Sequence, residues 1–90
     1  MTAPHIIWLD AETSGLKYDT HGILSLVMAR GWSEDDILSL EIMLRPDALF
    51  DPNVTRVNGY TEAVARGGLG RISERDACLA IIEWMKRKGY

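Results

Sequence analysis

The apolar positions of this chain run in two different rhythms. In the first half they form short unbroken blocks: "HIIWL" at His5–Leu9, "GILSLVMA" at Gly22–Ala29 and "ILSLEIML" at Ile37–Leu44. Each block is of strand length, and the second has high β propensity. Thr13-Ser14-Gly15 and the polar stretch from Lys17 break the first block from the second, and Gly31-Trp32-Ser33-Glu34-Asp35-Asp36 supplies a turn between the second and third. The short connection predicts that strands two and three form an antiparallel hairpin. The first block is apolar on both faces, which predicts a central strand covered on each side.

From Asp51 the period lengthens. Asp51-Pro52 is a helix-start signal, and Gly59 is a stop. Thr61 is positioned to cap a second short helix ending at Gly67-Gly68. Ser73 with Asp76 three residues on approximates a capping box. Ala77, Ala80, Ile81, Trp84 and Met85 then follow at helical spacing, and Lys86-Arg87-Lys88 suits the negative end of the helix dipole. The expected architecture is α+β: a three-stranded antiparallel sheet followed by helices, in a single domain over residues 1–90.

Composition narrows the function classes. The chain has 90 residues, 47% hydrophobic and 26% charged, with a net charge of −3. No basic excess draws it toward nucleic acid or anionic membrane, so any phosphate binding is local. The N-terminus lacks a signal-peptide pattern, and no apolar run approaches the ~20 residues that span a bilayer. A cytoplasmic protein is expected. The single cysteine, Cys78, falls in the helical apolar pattern and reads as a small buried thiol. Trp8 and Trp84 read as core. Arg66 and Arg71 flank the "GGLG" stretch, which lacks the Gly-Lys-[Ser/Thr] of a P-loop and reads as a loop.

Candidate chemistry gathers in "IIWLDAETSGL", Ile6 to Leu16. In a strand alternate side chains share a face, so Asp10 and Glu12 project together while Ala11 points away. Two converging carboxylates repel unless a cation lies between them, and hard oxygen donors suit Mg²⁺ or Mn²⁺. Asp19 and His21 follow in a loop, on no element that aims them at the acids. His5 sits at the far end of the first strand from Asp10.

An apolar strand, then Asp-x-Glu-Thr-Ser-Gly-Leu, resembles the first signature of the DEDD superfamily of 3′-to-5′ exonucleases, which includes polymerase proofreading subunits and several RNases. Downstream, "LRPDALFDPNVTRVNGYTEA" is similar to that family's third-strand exit and the short helix leading to an Asn-Gly-Tyr-Thr segment. The resemblance implies a ribonuclease H-like fold, here its N-terminal half. It implies catalytic and metal-binding roles for Asp10 and Glu12, with Mg²⁺ or Mn²⁺ as cofactor. It further implies contacts to the terminal nucleotide of a DNA or RNA 3′ end from Thr13, Ser14, Gly15 and Leu16, and from Asn58 and Tyr60. The implied reaction is hydrolysis of the 3′-terminal phosphodiester.

The family's remaining acids and its general base lie on later segments that this sequence does not contain. The isolated chain is therefore expected to be inactive, with another chain completing the site. In the parent fold a further strand pairs with the first on its free side. That edge predicts a protein partner or a second copy of the chain. The other expectation, from a different class, is a catalytically inactive exonuclease-like module that docks on a protein or nucleic-acid partner.

Overall fold

A computed structural model of the chain describes residues 6–31 and 36–89. His5 and Trp32, both singled out above, lie outside the described residues.

Three strands form one antiparallel sheet in the order β1-β2-β3: β1 at Ile7–Thr13, β2 at Ile23–Arg30 and β3 at Ile37–Glu41. The helices follow as α1 (Val54–Asn58), α2 (Glu62–Gly67) and α3 (Glu74–Arg87). This is the expected α+β arrangement.

The local signals for helix ends act as the sequence suggests. Thr61 accepts from the Val64 N–H, and Ser73 Oγ accepts from the Asp76 N–H, each satisfying an amide that the first turn leaves open. Gly59 ends α1 with φ +79°, a left-handed conformation that costs a glycine little. The start of α1 differs from expectation. Asp51 Oδ1 accepts from the Asn53 N–H at 2.9 Å, forming a turn of its own, and the helix begins only at Val54.

The pairing register sorts side chains into two faces. Ala11 lies opposite Leu26 and Leu9 opposite Met28, so these four share one face; Asp10 opposite Val27 and Glu12 opposite Ser25 share the other. α3 lies across the first face. There Leu26, Met28, Ile42, Ala77 and Trp84 form one buried cluster, and Leu24, Leu44, Ala48 and Ala65 continue it as a second. The helix covers β2 and β3; of β1, Ile7 packs against the edge of this cluster while Leu9 stays exposed.

That placement corrects several expectations. β1 is an edge strand rather than a covered central one, with Trp8 48% and Leu9 63% exposed. Trp84 is core, at 3% exposure, but Trp8 is not. Cys78 is exposed, because it lies beside rather than on the stripe that α3 turns to the sheet. The third block also divides: β3 stops at Glu41, and Ile42 bridges in parallel to Ile72 instead.

Candidate functional site

β1 continues past the apolar block to Thr13, so Asp10 and Glu12 lie within a paired strand instead of at its tip. They are two residues apart on one face, as strand geometry requires. Asp10 is exposed and Glu12 half-buried. Just after them the register shifts between Glu12 and Thr13, an irregularity that turns the chain out of the sheet.

Ser14 anchors this turn. It is fully buried; its hydroxyl donates to the Leu49 carbonyl at 2.7 Å and accepts from the Gly22 N–H at 2.9 Å. Its own N–H donates to the Gly22 carbonyl at 2.8 Å, and its carbonyl accepts from the Asp51 N–H at 2.8 Å. The serine therefore ties β1, β2 and the segment before α1 into one unit. The resemblance suggested a nucleotide contact for Ser14, and the structure places its side chain in the interior of this knot.

Gly15 follows with the His21 ring packed against its Cα, leaving no room for a Cβ. His21 Nδ1 accepts from the Lys17 N–H at 3.1 Å, and the His21 N–H donates to the Lys17 carbonyl at 2.8 Å. The ring thus closes the loop back on the glycine. Thr13 Oγ1 donates to the Gly15 carbonyl at 2.8 Å, bracing the same turn from its other side. Leu16, at the crest, is 99% exposed.

Between this turn and α1 lies a cleft of about 220 Å³, lined by Glu12, Thr13, Gly15, Leu16, Val57 and Asn58 among others. The Asn58 amide Nδ2 donates to Glu12 Oε2 at 3.3 Å, joining residues 46 positions apart. Asn58 Oδ1 in turn accepts from the Tyr60 N–H at 3.0 Å, which sets the amide's orientation. Of the residues suggested for substrate contact, Thr13, Gly15, Leu16 and Asn58 meet at this cleft. Tyr60 does not line it. Its hydroxyl donates to Glu41 Oε2 at 2.8 Å and its ring lies 5.0 Å below the Arg71 guanidinium.

Among the described residues, no group of three or more His, Cys, Asp or Glu side chains gathers as a metal-ligand cluster. The residues that could hold a metal here are Asp10 and Glu12, two hard oxygen donors of the kind that suit Mg²⁺ or Mn²⁺.

A second groove, about 460 Å³, opens on the α3 side of the sheet. Leu26, Ala77, Cys78 and Ile81 form its apolar wall, and the Arg45–Glu74 ion pair, at 3.2 Å, stands at its rim. Arg66 and Arg71 are both engaged in the fold. Arg66 donates to the Arg45 and Ala48 carbonyls; Arg71 donates to the Ile42 and Leu24 carbonyls and pairs with Glu41.

Two residues here left little trace in the sequence: Val57, which lines the cleft, and His21, which packs on Gly15 and lines the second groove. Val57 reads as an ordinary apolar helix position, and His21 as a loop histidine on no aiming element. Their roles arise from contacts across the fold. No family model matches the sequence, and no curated protein matches it.

Proposed function

We propose that the chain is the metal-binding portion of a 3′-to-5′ exonuclease-type hydrolase with a ribonuclease H-like relationship, acting in the cytoplasm on a DNA or RNA 3′ end. The observation that carries this reading is the coincidence of two same-face carboxylates with a close-approach turn and a cleft. Asp10 and Glu12 stand on one face of β1, and Thr13, Gly15 and Leu16 border the cleft that Glu12 also lines.

In this reading Asp10 and Glu12 hold Mg²⁺ or Mn²⁺, which when bound lowers the pKa of a water and offsets charge on the phosphodiester. The chain's own residues do the positioning. Asn58 holds the Glu12 carboxylate through its amide. Gly15, closed off by the His21 ring, holds the turn tight beside the cleft, and the exposed Leu16 and Val57 side chains offer apolar surface to the base of a terminal nucleotide. In this reading further acids and a general base complete the site from outside these 90 residues.

Titration calorimetry with Mn²⁺ tests the reading. Binding to the wild type and its loss in Asp10→Asn are expected; heats that are absent in both, or equal in both, reject it. The second reading is an inactive exonuclease-like module docked on a partner. The exposed apolar side chains along β1 favour it, and a metal-independent complex whose partner carries no nuclease residues would establish it.

A further inference from the structure

The open edge of β1 has a definite chemical pattern. The Gly31 N–H donates to the Ile6 carbonyl at 2.8 Å, and in an antiparallel ladder inward-bonded residues alternate. Trp8, Asp10 and Glu12 therefore direct their main-chain groups toward β2. Ile7, Leu9 and Ala11 direct theirs outward, along an edge with no neighbouring strand among the described residues. Leu9 adds a 63% exposed side chain on the α3 side, and Ile6 is 46% exposed.

We infer that two copies of the chain pair antiparallel through β1, with Leu9 opposite its counterpart, so that Asp10 and Glu12 of both copies line one face of a continuous sheet. This rests on the exonuclease reading for its purpose, since pairing doubles the carboxylates on one face, with Asp10 and Glu12 from each copy. The pairing itself rests on the edge.

Charge selects the register. A two-fold centred on Asp10 sets that carboxylate against its own copy, and one centred on Ala11 sets Asp10 against Glu12. Directly opposed like charges destabilise a strand pair. Centring on Leu9 places Asp10 opposite Trp8, Glu12 opposite Ile6 and Ile7 opposite Ala11. Every acid then faces an apolar residue, and the outward main-chain groups of Ile7, Leu9 and Ala11 all find partners.

On the α3 side the two Leu9 side chains meet and cover each other. On the opposite face the two Asp10 residues become diagonal neighbours, about 7–8 Å apart at Cα. Two carboxylates at that spacing can reach a shared cation, and an ion there removes the residual repulsion between copies. Divalent ions should therefore tighten the dimer.

Sedimentation velocity of the full chain, with Mn²⁺ or with chelator, tests the inference. The wild type should sediment as a dimer in Mn²⁺, with at least a tenfold weaker association in chelator. Leu9→Lys, at an exposed position, should be monomeric in both. A wild type that stays monomeric throughout, or a Leu9→Lys protein that associates like the wild type, overturns the pairing. The two proposals fail separately: a monomer that still binds Mn²⁺ through Asp10 leaves the exonuclease reading standing, whereas a Leu9-dependent dimer that gives no heat with Mn²⁺ keeps the pairing and removes that reading.

Discussion

The two edges of the sheet are finished differently. At the end of β3 the chain adds one partner of its own: the Ile72 N–H donates to the Glu41 carbonyl at 2.9 Å, and Ile42 bridges to Ile72. Arg71, its side chain 4% exposed, reaches over this pairing to the Ile42 and Leu24 carbonyls and pairs with Glu41 at 3.1 Å. Beyond β1 there is no such partner among the described residues, and Trp8 and Leu9 remain about half exposed or more. The buried arginine and the extra backbone partner stand beside β3, while β1's outer edge has neither among the described residues. The β1 side keeps its acids and outward main-chain groups accessible, which is where both proposals place function.

If that contrast is right, stability should track the β3 side. The largest effect is expected from Trp84→Ala, which empties the buried cluster under α3. Its cost of about 3–5 kcal/mol compares with the roughly 5–15 kcal/mol that holds a domain folded. Circular dichroism during urea titration should show a partly or wholly unfolded protein. A midpoint near that of the wild type would mean that α3 is not packed as described.

Arg71→Met comes next. It keeps much of the apolar stem but leaves the Ile42 and Leu24 carbonyls without their charged donor, at about 2–3 kcal/mol. Amide hydrogen exchange should rise selectively at Ile72 and Met43, whose N–H groups form the pairing there. Uniform exchange across the sheet would break the distinction between the edges.

Ser14→Ala tests the joint where the two sides meet. Removing the hydroxyl strands the buried Gly22 N–H and Leu49 carbonyl as partners, for about 1–2 kcal/mol by urea midpoint. Because the same residue braces the cleft, Mn²⁺ affinity should fall along with stability. A change in stability alone would separate the knot from the site.

The smallest effect belongs to Leu9→Thr. At low concentration, where the monomer dominates, an exposed edge position should shift stability by no more than about 0.5 kcal/mol. A loss as large as that of Ser14→Ala would show Leu9 to be covered, and the edges to be more alike than they look.

The chain's local rules were legible in its residues alone. The caps at Thr61 and Ser73, the left-handed stop at Gly59 and the three strand blocks each depend on neighbours a few positions away, so their signals are written consecutively. The same holds for the shared face of Asp10 and Glu12, since a two-residue period sets it within any strand. Whether an apolar residue ends up inside depended on what lies across from it. Trp8 and Trp84 both sit in apolar runs, yet α3 packs on the face of the sheet that carries Leu26 and Met28, and Trp8 projects from the opposite face, which no helix covers, so only Trp84 is buried. The junction of Asn58 with Glu12 and the recruitment of Arg71 to the end of β3 likewise join residues 46 and 30 positions apart. Such pairings carry no local signature, because the free energy that selects them exists only once the distant segments have met.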